Sequence, residues 1–185
     1  MQRSRSPITE TDVSITVGPV TLQGMLALTP EARGVVVFAH GSGSGRLSPR
    51  NTFVARVLQT GGLATLLIDL LEPQEAEDRR KVFDIDLLAD RLLAAHAWIA
   101  RQAATHNFAV GYFGASTGAG AALQAAARSP SPVAAVVSRG GRPDLAEPYL
   151  ATVKAPTLLI VGGYDFPVIE MNQEALEALT CHKQL

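Results

Sequence analysis

Short, nearly continuous apolar runs recur along this chain at Gly34–Ala39, Leu63–Leu70, Phe108–Phe113, Pro132–Ser138 and Pro156–Val161. Each is rich in Val, Ile, Leu or Phe. A strand reads this way when both of its faces are covered, as in a parallel sheet between two layers of helices. Two earlier segments, Val13–Val17 and Val20–Leu28, alternate instead and flank the turn signal Gly18-Pro19, which predicts an antiparallel hairpin. Between the runs lie helical patterns. Thr52–Thr60 stops at Gly61-Gly62. Ile85–Gln102 carries Leu88, Leu92, Ala95 and Ile99 on one stripe, with Asp84 placed to cap it and Phe83 placed to staple onto Leu88. Thr117–Arg128 is Ala-rich, and Pro167–Leu179 opens with a proline in its first turn. The order predicts one α/β domain over residues 1–185: a doubly wound, mostly parallel sheet with an antiparallel N-terminal hairpin. Glu72–Arg80 is polar and reads as a surface excursion.

Composition narrows the function classes. Of the 185 residues, 47% are apolar and 18% charged, which excludes a disordered chain. The formal net charge is −1 with no basic patch, which argues against nucleic acid and anionic membranes as partners. Arg79-Arg80-Lys81 reads as a solvated loop or helix entry. The single cysteine, Cys181, cannot form an internal disulfide and points to a reducing compartment. Met1–Pro7 is polar and no apolar segment follows it, so neither a signal peptide nor a transmembrane helix is expected. The expectation is a soluble cytoplasmic protein. No feature of the sequence sets an oligomeric state.

The chemistry-bearing motif is Gly114-Ala115-Ser116-Thr117-Gly118, a G-x-S-x-G between a predicted strand and a predicted helix. That context is what a nucleophile elbow requires: a sharp, strained turn that exposes the Ser hydroxyl above the sheet, with glycines leaving room for the crossing strand and helix. The helix N-terminus beside the Ser favours developing negative charge. The bland alternative is a Gly-rich turn with a capping Ser. A second motif, His40-Gly-Ser-Gly-Ser-Gly45, follows the strand ending at Ala39. A loop in this position supplies one oxyanion-hole N–H, here that of Ser42, and the residue after the nucleophile, Thr117, supplies the other. His40 itself reads as a brace for the loop rather than as a base. The third element is Asp165, in the loop past the strand Pro156–Val161. It stands where a triad acid belongs in the order Ser…Asp…His, or else as the cap of the Pro167 helix. Arg139 and Arg142 follow the next strand and could meet a carboxylate or phosphate on a substrate, or make a surface salt bridge.

With these residues in place, the chain resembles the dienelactone-hydrolase-related branch of the α/β-hydrolases. The matching stretches are His40–Gly45, Phe83-Asp-Ile85, Gly111–Gly118, Ser138–Leu145 and Ala155–Gly163 with Asp165, in order along nearly the whole chain. The resemblance implies an eight-strand sheet, no cofactor or metal, and hydrolysis of small esters or lactones. Ser116 and Asp165 would be catalytic, Ser42 and Thr117 would form the oxyanion hole, and Arg139 would contact the substrate. Members of this branch occur alone or fused to a phosphoribosyltransferase domain. Dienelactone hydrolase proper uses a Cys where this chain has Ser116, so the family name does not supply the substrate. The family's catalytic His follows a strand that here would begin near Lys183. The expectation is therefore a domain lacking that last strand, the final helix and the His. Of the histidines present, His96 falls among core positions of a helix, while His106 and His182 precede strands, at the opposite rim from Ser116.

Two further readings remain open on sequence. One is a catalytically inactive hydrolase fold acting as a binding module. The other is an NAD(P)-binding oxidoreductase, since Gly114, Gly118 and Gly120 also fit a dinucleotide-binding glycine pattern and Arg139 ends the next strand. Against it, the motif lies past the middle of the chain, and no Tyr has a Lys four residues on.

Overall fold

The computed structural model describes residues 8–185; the polar segment Met1–Pro7 lies outside them. Eight strands form one sheet, ordered β1-β2-β4-β3-β5-β6-β7-β8. They are β1 Thr9–Val17, β2 Val20–Leu28, β3 Gly34–Ala39, β4 Ala64–Ile68, β5 Ala109–Ala115, β6 Val136–Arg139, β7 Thr157–Ile160 and β8 Lys183–Gln184. β1 and β2 form the expected hairpin, β2 also runs antiparallel to β4, and every pair from β4 through β8 is parallel. The helices are α1 Pro49–Thr60, α2 Pro73–Ala76, α3 Arg79–Val82, α4 Ile85–Arg101, α5 Thr117–Arg128, α6 Glu147–Leu150 and α7 Phe166–Ala178.

Side-chain parity divides the core in two. Val35, Val37, Leu66, Ile68, Val110, Tyr112, Val136 and Leu159 face α4 and α5, with Ala175 of α7 in the same cluster. Val36, Phe38, Leu67, Phe113 and Val137 face Ala55, Val54 and Leu58 of α1. Helices on both faces explain why these strands read as unbroken apolar runs. α5 lies almost wholly inside, with every residue from Thr117 to Ala125 buried, which its run of Ala and Gly allows. On the α1 side, Leu158 and Ile160 of β7 remain exposed.

The structure revises several expectations. The last strand, expected to be lacking, is present as β8: Lys183 and Gln184 pair with Thr157 and Leu158. β6 is four residues long; Pro132, Ala134 and Ala135, read as part of it, are exposed before the strand begins. Asp84 caps α4 through a bond from the Leu87 N–H (3.0 Å), but Phe83 is exposed, with the Arg79 guanidinium over its ring. The polar excursion Glu72–Arg80 is not merely solvated. It forms α2 and enters α3, and Glu75 turns inward to a part-buried ion pair with the buried Arg91 of α4 (2.5 Å). The Arg91 guanidinium holds the Glu75 carboxyl down to a pKa of about 2. Arg91 also donates to the Leu70 carbonyl (2.7 Å), fastening the segment after β4 to α4.

Candidate active site

Because β3, β5, β6 and β7 run parallel, the loops leaving them share one edge of the sheet, where crevices form in open α/β sheets. Ser116 is the single residue between β5 and α5. Its φ of 52° and ψ of −126° make it the one non-glycine residue at positive φ among those described. An L-residue holds such a conformation only where its surroundings force it. Here they do. The Ser116 carbonyl accepts the N–H of Ala119 (3.0 Å) and that of Arg142 (3.1 Å). A Cβ on Gly114 would lie 2.5 Å from Ala119 Cα, and one on Gly118 would drive into the Ala39 and His40 carbonyls, so both glycines are set by strand–helix contact. The Ser116 side chain makes no cap bond, which sets aside the capping-Ser alternative.

The His40–Gly45 loop lies against this elbow: a Cβ on Gly41 would meet Ser116 Cβ at 2.7 Å. His40 is the predicted brace. Its Nε2 accepts the Leu70 N–H (3.2 Å), so the proton sits on Nδ1, which donates to the Gly41 carbonyl (3.0 Å). Both ring nitrogens are thus engaged in holding the loop. Asp69 adds a second tie, accepting from the Arg46 N–H (2.6 Å) and from the Arg46 guanidinium. The amides of Ser42 and Thr117 make no hydrogen bond among the described residues.

Ser42, Ser116 and Arg139 line one cleft of about 400 Å³, together with Arg50, Val161 and Gly162. Arg139 stands opposite Ala115 in the β5–β6 pairing, its guanidinium 5.8 Å from the Phe113 ring centre and its buried Nε without a partner among the described residues. Arg142 is otherwise engaged, clasping Asp144 through Nε and Nη2 (2.9 and 2.7 Å). The predicted acid is not drawn in with the rest. Val161 and Gly162 reach the cleft, but Asp165 is exposed, outside the cleft lining. It occupies the N-cap position of α7 without a side-chain cap bond, so the capping alternative fails too.

The remaining histidines are held elsewhere. His96 is buried, with Nδ1 bonded to the Tyr112 hydroxyl (2.7 Å); burial lowers its pKa and raises that of Tyr112. His106 contacts the Ala103 carbonyl before β5, and His182 lies before β8, its carbonyl accepting the Thr157 N–H. Sequence reasoning missed the Glu75–Arg91 anchor; an Arg within the apolar stripe of α4 was its one signal. It also missed Asn172, whose amide bonds the turn after β6.

A serine on a strained strand-to-helix turn, beside a Gly-rich loop with a free amide and within an eight-strand sheet of this order, is the arrangement of the α/β-hydrolase class. The chain belongs to the dienelactone hydrolase family, whose model matches residues 22–185. It is similar to a dienelactone hydrolase of Anabaena variabilis, whose crystal structure is 59% identical and superposes with a TM-score of 0.92 over 95% of this chain and 83% of that one. A "Putative phosphoribosyl transferase" of Mycobacterium tuberculosis is 57% identical over 169 residues, 91% of this chain. The chain spans 38% of the length of that relative. A cold-adapted esterase from an Arctic intertidal metagenomic library shares the fold, with a TM-score of 0.80 at 16% identity over the whole chain and 87% of its own. Among the described residues, no helix is long and apolar enough to cross a membrane.

Proposed function

We propose that the protein is a serine hydrolase of small esters or lactones acting through an acyl-enzyme. Ser116 Oγ attacks the substrate carbonyl, and the oxyanion is received by the amides of Ser42 and Thr117. Each such donor contributes about 10²–10³ in rate. The leaving alkoxide takes the proton removed from Ser116, and water then hydrolyses the acyl-enzyme by the same route. Asp165 orients the imidazole that carries the proton. Arg139, a cleft arginine with a buried, unpartnered Nε among the described residues, meets a polar or anionic substituent of the substrate. The observation that carries this reading is the strained backbone of Ser116, held by two hydrogen bonds to its carbonyl at the lining of the cleft.

The reading makes one demand. His40, His96, His106 and His182 are all engaged or remote as placed, so catalysis needs an imidazole other than these four. The same placement favours a second reading, in which the fold binds a small molecule without turning it over. Hydrolysis of p-nitrophenyl acetate by the protein purified from its natural host, beside its Ser116→Ala variant, separates them. Turnover that disappears with Ser116 supports the hydrolase. Turnover no faster than buffer alone in either protein supports the binding module, and turnover equal in both but above buffer contradicts Ser116 as the nucleophile.

A further inference from the structure

The turn that follows β6 has three residues, and a different element claims each of them. Gly140 donates its N–H to the Ile160 carbonyl at the end of β7 (2.7 Å) and takes a φ of 50°. Gly141 is buried against α5, where a Cβ would stand 2.5 Å from Ala119 Cβ, and its carbonyl accepts from Asn172 Nδ2 of α7 (3.1 Å). Arg142 donates its N–H to the Ser116 carbonyl (3.1 Å). The turn therefore joins the strand that leads into the Asp165 loop, the helix that leaves that loop, and the elbow that carries Ser116. Backbone groups make all of these bonds except one, and the exception is Asn172.

Asn172 is fully buried, and its Nδ2 also donates to the Val168 carbonyl one helical turn back (2.8 Å). Its Oδ1 is buried with no partner among the described residues. A buried acceptor left unpaired destabilises a fold. For packing alone, an apolar side chain of similar size would serve this helix position better. What the amide adds is a donor aimed at the Gly141 carbonyl.

We propose that Asn172 is a positioning residue for Ser116. By holding the Gly141 carbonyl it fixes the Gly140–Arg142 turn. Through the Arg142 amide it sets where the Ser116 carbonyl, and with it the nucleophile, stands relative to the loop bearing Asp165. The catalytic consequence rests on the reading of Ser116 as the nucleophile; the relay of hydrogen bonds does not. A displacement of about an ångström at a reacting group costs on the order of 10²-fold in rate. Loss of the relay should therefore appear in kcat and leave KM nearly unchanged.

Two variants test this. Asn172→Leu removes both donor and unpaired acceptor at similar size, while Asn172→Ala removes both with no larger side chain to place; if the first does not fold, the second carries the test. The primary readout is amide hydrogen exchange at Arg142 and Ala119, which donate to the same Ser116 carbonyl from the turn after β6 and from α5. The expected result is faster exchange at Arg142 with Ala119 unchanged, accompanied by a fall in kcat for p-nitrophenyl acetate on the order of 10²-fold at similar KM. A general loss of packing would instead speed exchange at both amides together. Unchanged exchange at Arg142, or equal acceleration at Ala119, overturns the proposal. If the unmutated protein shows no Ser116-dependent turnover, the hydrolase reading fails, while the Arg142 exchange still decides the relay.

Discussion

Two loops at the same edge of the sheet are built in opposite ways. The elbow around Ser116 is held from every side: two N–H groups on one carbonyl, Gly114 and Gly118 pressed against neighbouring backbone, and Gly41 against the serine itself. Its neighbour, the His40 loop, is tied in turn through Leu70 to Arg91 and Glu75. The Val161–Asp165 loop has one internal bond, from the Asp165 N–H to the Gly162 carbonyl (3.0 Å), and its glycines face open space. Tyr164 and Phe166, on either side of Asp165, are 94% and 70% exposed. The contrast teaches that the strain at Ser116 is sustained by groups within this fold, while the Asp165 carboxylate has no partner among the described residues.

The sharpest way to break this contrast is to place the same methyl group in both loops. Gly118→Ala pushes a Cβ into two backbone carbonyls that cannot yield. It should cost about 3 kcal/mol or more, or prevent folding, as overpacking against rigid neighbours does. Gly162→Ala meets nothing within 4 Å at ordinary φ and should change stability by no more than about 0.5 kcal/mol. Urea unfolding of the pair measures both. Equal costs would mean that the elbow is no tighter than the Val161–Asp165 loop.

The anchored side should also show itself in acid. Glu75 titrates near 4.5 when unfolded and near 2 when folded. A carboxylate depressed by this much contributes about 3 kcal/mol above its unfolded pKa, lost as pH falls from about 4.5 through 2. Glu75→Gln should be less stable at neutral pH and flatter across that window. A parallel acid profile in the variant would place the acid sensitivity elsewhere.

Smaller effects sharpen the picture at the two candidate catalytic residues. Ser116→Gly relieves the positive φ and should raise stability by about 1 kcal/mol, the sign expected where function rather than stability sets the residue. Asp165→Asn removes a carboxylate with no bonded partner and should stay within about 0.5 kcal/mol of the parent. Thermal melts of the two variants beside the parent check both signs.

How far the sequence foretold this depends on how local each feature is. β2, β3 and α5 have the predicted ends because their apolar pattern, turn residues and helix formers agree over a few neighbouring positions. The elbow was legible for the same reason, being five consecutive residues. His40 as a brace was legible from position, but the Leu70 bond that makes it one joins residues 30 apart, and the Asp69–Arg46 tie joins residues 23 apart. β6 was overread because Pro132–Ala135 is apolar yet lies before the point where β5 and β7 flank it. α2 and α3, one turn each, leave no periodicity to detect. Glu75 was hidden in a stretch that reads as solvent, and Asn172 looks like any polar position on an amphipathic helix. Its partner lies 31 residues away and offers only a backbone carbonyl.

The account turns on Ser116 being a nucleophile and not merely a strained turn residue. The most direct measurement is covalent labelling of the protein from its natural host with a fluorophosphonate, followed by mass mapping of the adduct. The account predicts a single adduct on Ser116, absent from Ser116→Ala. An adduct on another residue, or hydrolase activity that survives Ser116→Ala, would contradict it.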